Sequence, residues 1–226
     1  MGKRLFDWLM LFLMPVTLYL VFIWVPNEKT MGIIQRIFYY HVPSAWISFL
    51  AFGFVFFFSI LYLAKRAEKW DKLAAASAEL GLAFCTIVLV TGPIWAKPVW
   101  GIWWTWDARL TLTLVLWLIY VGYMMLRMYV QEEAKRARLC AVVGIIGFLD
   151  VPLVYMSIRW WRTQHPAPVM AGGEGSGLAP EMKLVFFFCL LAFSVLFFYL
   201  LHKRYEILKA EEEVNDLHKQ LEKMEA

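Results

Sequence analysis

Cysteine is scarce in this chain of 226 residues. There are three, Cys85, Cys140 and Cys189, and no two stand at C-x-x-C spacing. The pattern excludes a thiol relay and a cysteine-built zinc site. All three fall in apolar runs, where a thiol is a small packing residue between helices. No P-loop, G-x-G-x-x-G or internal repeat is present, so no nucleotide-binding fingerprint is available. Charged residues are only 18% of the chain, against about 25% in soluble domains. No soluble segment interleaves aromatic and basic residues as a nucleic-acid surface does. Glycine clusters at one place, Pro166 to Pro180, with Gly172, Gly173, Gly175 and Gly177. That composition predicts a flexible outer loop.

What the chain has instead is apolar length. Hydrophobic residues make up 62% of it, and the mean hydropathy is +0.60. At about 20 residues per crossing, the runs predict six spans, near 5–25, 42–64, 73–92, 108–130, 138–158 and 181–202. The expected fold is an all-α integral membrane protein, a bundle of six transmembrane helices with a C-terminal cytoplasmic helical extension. Residues 1–203 form the membrane domain and 204–226 a charged amphipathic tail. Lys3 and Arg4 precede the first run, which is too long for a signal h-region and lacks an A-x-A-like site, so it is expected to remain uncleaved. Phe6 stands where a myristoylation motif needs Ser or Thr.

Basic residues set the orientation. With the N-terminus, the second and fourth loops and the tail on one side, that side collects 15 of the 22 lysines and arginines. Both termini are therefore expected in the cytoplasm.

Between the third and fourth spans, at about 93–108, lies a loop with five indoles in 12 residues: Trp95, Trp100, Trp103, Trp104 and Trp106, followed by Asp107 and Arg109. Indoles anchor loops at headgroup level, and a cluster of them also forms a shelf for a flat apolar ligand with charged edges. Two histidines stand near it in topology. His41, in Phe38-Tyr-Tyr-His-Val-Pro43, opens the second span, and His165, in Trp160-Trp-Arg-Thr-Gln-His165, follows the fifth. All three segments follow odd-numbered spans, so they share one face whichever way the chain inserts.

Two imidazoles flanking an indole surface suit haem, whose iron takes two axial bonds. Zinc asks for three or four protein ligands, and no cysteine reaches this face. Arg36, Arg109, Arg159 and Arg162 are the outer arginines, whose planar guanidinium matches a propionate carboxylate; membrane anchoring is their other role. Asp107 fits a helix N-cap. Two other readings stay open: a bis-histidine membrane cytochrome, which places sites at both faces, and a cofactor-free transporter or scaffold subunit. His202 and His218 lie at the tail side and carry no expected role. In the tail, Ile207, Ala210, Val214, Leu217, Leu221 and Met224 recur at alternating spacings of three and four, an a/d stripe that packs on a partner or the membrane surface.

Trp100-Gly-Ile-Trp-Trp-Thr-Trp-Asp-Ala-Arg-Leu-Thr111 resembles the tryptophan-rich "WWD" motif of haem-handling membrane proteins of cytochrome c maturation. With His-Val-Pro at 41–43 and Trp-Trp-x-Thr-x-His at 160–165, the chain is similar to the CcmC family from the first span to the sixth. The tail from about residue 204 is longer than the family pattern requires. The resemblance implies a non-enzymatic protein of the bacterial inner membrane that binds haem b transiently at its periplasmic face and delivers it to the haem chaperone CcmE. His41 and His165 would be the axial ligands. Trp95, Trp100, Trp103, Trp104, Trp106, Asp107 and Arg109 would form the platform. The implied partners are CcmE, the ABC transporter subunits CcmA and CcmB, and the small membrane protein CcmD.

Overall fold

The computed structural model describes residues 2–161, 163, 165 and 177–225. Arg162 and most of the glycine-rich stretch, 166–176, lie outside the described residues. Every regular element described is helical. Helix α1 (Gly2–Tyr19) runs on into one π-helical turn, Leu20–Trp24, and a 3₁₀ turn, Ile33–Ile37, leads into α2 (Phe38–Lys65). Then follow α3 (Glu68–Trp100), α4 (Ala108–Tyr129), α5 (Glu133–Phe148), α6 (Asp150–Trp160) and α7 (Pro180–Glu225). Six of the resulting segments are long and apolar enough to cross a bilayer: Phe6–Trp24, Ile33–Lys65, Glu68–Trp100, Ala108–Tyr129, Glu133–Trp160 and Pro180–Met224. The protein is an all-α integral membrane protein.

The second, third and fifth spans begin earlier than expected, at Ile33, Glu68 and Glu133, and the third and fifth also differ in form. The third was expected to stop near residue 92, before Pro93, yet α3 continues through Pro93 and Pro98 to Trp100. Each proline removes one amide donor and disfavours a helical residue before it. Within a bundle, neighbouring helices and side-chain hydroxyls meet the freed backbone groups, and a helix tolerates the interruption. The helix ends where Gly101 takes φ +78° and donates its N–H to Lys97 O at 2.9 Å. The fifth span is two helices, α5 and α6, broken at Leu149. Pro152 explains the break, because its ring nitrogen cannot donate to Phe148 O. The buried Asp150 thereby opens α6, where a helix N-terminus favours a carboxylate.

Helices α2 and α3 form the centre, joined by a two-residue turn in which Arg66 adopts φ 55°. Small residues let them approach closely: Ala74, Ala75, Ala76 and Ala78 on α3 are all buried. At Gly81 a β-carbon would lie 2.6 Å from Phe52 Cε1, so only glycine fits there. Phe52 in turn stacks on Tyr120 of α4 with ring centroids 3.7 Å apart. Cys85 and Cys140 are buried in this core and Cys189 in the cluster beside α1 and α7.

Charged pairs close the end of the bundle where α2 ends and α3 begins. Arg127 donates to both oxygens of Asp71, at 2.7 and 2.8 Å, and Arg204 to both of Glu79, at 2.5 and 2.9 Å. These planar two-bond pairs clamp α4 and α7 onto α3.

Candidate functional site

At the opposite end a cavity of about 280 Å³ opens where α2 and α4 begin and α3 and α6 end. His41, Trp95, Trp100, Trp103, Trp104, Arg109 and His165 all line it, so residues 124 positions apart in sequence meet at one cavity. Trp106 does not line it and is 76% exposed.

The placements correct the expected loops. His41 is in the first turn of α2, and Trp95 and Trp100 are on the last turns of α3. The indole loop therefore shortens to the segment between Gly101 and Asp107, and only His165 among the two histidines lies in a non-helical segment. Asp107 is the N-cap of α4: Leu110 N–H donates to its Oδ1 at 3.0 Å, and Thr105 Oγ1 donates to its Oδ2 at 3.0 Å. Both oxygens are thus engaged locally, which fixes the start of the helix that carries Arg109.

The hydrogen bonds around His41 determine which ring nitrogen carries its proton. Nδ1 lies 2.8 Å from Thr91 Oγ1, and Thr91 Oγ1 lies 2.6 Å from Ile87 O. A carbonyl only accepts, so the single hydroxyl proton of Thr91 goes to Ile87. Thr91 then accepts from His41 Nδ1–H, and Nε2 keeps its lone pair. Imidazoles that bind metals are held in this way, donating the second nitrogen's proton to a neighbour. The Trp95 ring stands edge-on to His41 with centroids 5.7 Å apart. A β-carbon at Gly92 would come within 3.5 Å of His41 Cε1, ordinary contact that leaves the ring its room.

Donors without partners converge on the cavity. Arg109 Nη1, Trp95 Nε1 and Trp104 Nε1 are buried with no hydrogen-bond partner among the described residues. Among the described residues no carboxylate lines the cavity. A buried donor left unpaired costs about 1–3 kcal/mol, so the arrangement suits a ligand that brings acceptors of its own. The two other outer arginines among the described residues are engaged elsewhere: Arg36 donates to Phe22 O and Asn27 Oδ1, at 2.7 and 3.2 Å, and Arg159 stands over the Tyr155 ring.

Three contributors carry no sequence signal. Thr91 matters only because α2 and α3 pack in register. Thr30 and Met31 reach the cavity from the first loop, held by Glu28, whose carboxylate accepts from the Met31 and Thr30 amides at 2.5 and 2.7 Å. Those bonds hold the Glu28 carboxyl below the usual carboxylate range.

Comparison with known proteins gives the family. The profile of the family described as "Heme exporter protein C", CcmC, matches residues 2–219. The match runs well into the tail, so the family pattern covers most of a segment expected to exceed it. The chain is 37% identical over 187 residues to "Heme exporter protein C" of Bradyrhizobium diazoefficiens, covering 81% of this chain and 71% of that protein. It is 31% identical over 209 residues to the protein of the same name from Haemophilus influenzae, covering 92% and 85%. To a ccmC-like mitochondrial protein of cytochrome c biosynthesis from Marchantia polymorpha it is 32% identical over 199 residues, covering 87% and 84%. Six membrane-spanning segments stand together with a profile match over residues 2–219 and these relatives: the chain belongs to the CcmC family of haem exporter proteins.

Proposed function

We propose that this cavity holds haem b as a transient cargo at the periplasmic face of a bacterial inner membrane and hands it to a CcmE-type chaperone. A member of this family works in haem handling for cytochrome c biogenesis, as a membrane component of transport and maturation. The observation that carries the finer reading is the donor set. Two histidines and a buried guanidinium whose Nη1 has no partner among the described residues share one indole-lined cavity with no carboxylate among its described lining residues.

In this reading His41 offers Nε2 to the iron while Thr91 holds its Nδ1–H, and His165 offers the second axial nitrogen. Arg109 meets a propionate. Trp95 and Trp104 cover the porphyrin and supply N–H donors at its edge, and Trp100 and Trp103 extend the platform. Trp106, exposed beside Trp104 with ring centroids 5.8 Å apart, is on the outer surface where a chaperone would dock. CcmA, CcmB and CcmD are the partners alongside which such a unit acts, and both termini face the cytoplasm.

The experiment is to change His41 and His165 to Gly, singly and together, and to record haem absorbance with and without added imidazole. Each single variant is expected to lose the low-spin spectrum and to recover it with imidazole. An unaltered low-spin spectrum in the double variant refutes the assignment.

A further inference from the structure

We propose that Phe49 is a side door of the cavity, through which a flat macrocycle with carboxylates on one edge passes between the bilayer and the site. The proposal rests on the reading of the cavity as a haem site.

A second hollow, of about 590 Å³, lies against α2 and the break between α5 and α6. None of the residues that line it is charged, and five are aromatic: Trp46, Phe49, Phe54, Phe57 and Phe148. Trp46, Leu50 and Phe57 are 51%, 39% and 53% exposed within a membrane span, so the hollow opens to lipid. Phe49 lines both this hollow and the cavity, and among the described residues it is the one that the two share. Around it the walls divide. Ser48 and Val154 line the cavity, Leu50 and Val151 the hollow. The two spaces are one side chain apart.

That side chain is held unlike its neighbours. Phe52 is stacked on Tyr120, Phe54 on Phe58 and Phe56 on Phe148, and Phe57 stands against Phe58. Phe49 has no ring partner among the described residues and is half-buried at the edge of the core. Its ring turns without breaking an aromatic contact, which each of the others would lose.

The cavity also grows apolar toward this door. Ala45 and Phe49 lie roughly 6 and 12 Å below His41 along the axis of α2, and Val88, Leu89 and Val154 complete an apolar wall. Arg109 stands in the first turn of α4 and Trp100 at the last residue of α3. Haem has the same polarity, two carboxylates on one edge and hydrocarbon on the other. In the half of the bilayer nearest the cavity its carboxylates stay with the headgroups, because an unpaired buried charge is costly. A sideways step at that depth carries the apolar edge past Phe49 and leaves the carboxylates level with Arg109. A lipid chain or a partner helix would fill the hollow but has no use for a way through its wall.

The test uses the full-length protein in liposomes with haem dissolved in the bilayer and apomyoglobin outside to capture haem from water. The bis-histidine absorbance is followed in time, and haem affinity is measured separately at equilibrium. Leu50→Trp with Gly53→Leu fills the hollow from positions that do not line the cavity. It should slow loading about tenfold or more and leave the affinity within about twofold of wild type. Phe49→Ala removes the door and should load faster than wild type. Loading of the filled variant at the wild-type rate overturns the proposal and leaves the hollow to a lipid chain or a partner helix. So does slower loading of Phe49→Ala, or an affinity in the filled variant that falls as far as its rate. These results leave the haem reading standing. A wild type without haem absorbance in either measurement refutes that reading and the door with it.

Discussion

Replacing Thr91 with valine tests how His41 is prepared. The two side chains have nearly the same shape, so the perturbation is the loss of one oxygen. In the wild type that oxygen accepts from His41 Nδ1–H at 2.8 Å, and His41 is only 8% exposed. With valine the Nδ1–H has no acceptor, and an unpaired buried donor costs about 1–3 kcal/mol. The ring escapes that cost by moving its proton to Nε2, the nitrogen offered to iron on the proposed reading, or by turning. Either response is charged against haem binding, and 1–3 kcal/mol corresponds to roughly 5- to 150-fold in affinity. Loss of a comparable outer partner from metal-binding histidines weakens binding by about 10- to 100-fold. The expected result is thus a fall of one to two orders of magnitude in a spectrophotometric haem titration, with Thr91→Ser close to wild type because it keeps the acceptor. A Thr91→Val protein that binds haem with wild-type affinity and spectrum refutes the assigned proton position and the role of Thr91.

Three further outcomes follow from the geometry. Trp104→Ala should weaken haem binding about two- to tenfold, the worth of an aromatic contact beyond its burial, while Trp106→Ala stays within about twofold in the same titration; equal losses mean the segment acts through folding. Gly81→Ala forces a β-carbon against Phe52, which is itself held by Tyr120, and should cost about 1–3 kcal/mol, read as a lower midpoint of thermal unfolding in detergent; an unchanged midpoint shows that α2 and α3 separate without cost. Removing residues 206–226 should leave the haem spectrum unchanged, since a bilayer of about 30 Å separates that segment from the cavity; a lost spectrum means the tail shapes the site.

The span count was legible because long apolar runs have few structural alternatives in a bilayer. So was the shared face of His41, Trp104, Arg109 and His165, which depends only on counting crossings. Asp107 was legible as a cap because the signal is local: the carboxylate and the amide it accepts from are three residues apart. Where the expectations fell short, the cause was tertiary. Pro93 reads as a stop in isolation, and the bundle carries α3 past it. Thr91 sits 50 residues from His41, and no periodicity announces that contact. Arg109 stood out among the outer arginines because it opens α4 beside the indoles, while the engagement of Arg36 with Phe22 O and Asn27 shows only in three dimensions. The outward turn of the tail's stripe, with Ile207, Leu217 and Met224 exposed, depended on the ion pairs of its inner face, which link residues more than 100 positions apart.

The break at Leu149 makes the two jaws of the site mechanically unequal. His41 rides on a 28-residue helix packed at the centre of the bundle, a fixed jaw. His165 follows an 11-residue half-helix that is joined to the rest of its span through Leu149 and seated in the core by Val151 and Val154, a shorter jaw. A clamp of this build opens from one side. On the proposed reading the side of His165 is the one that an incoming donor would reach, with the cargo held on the side of His41.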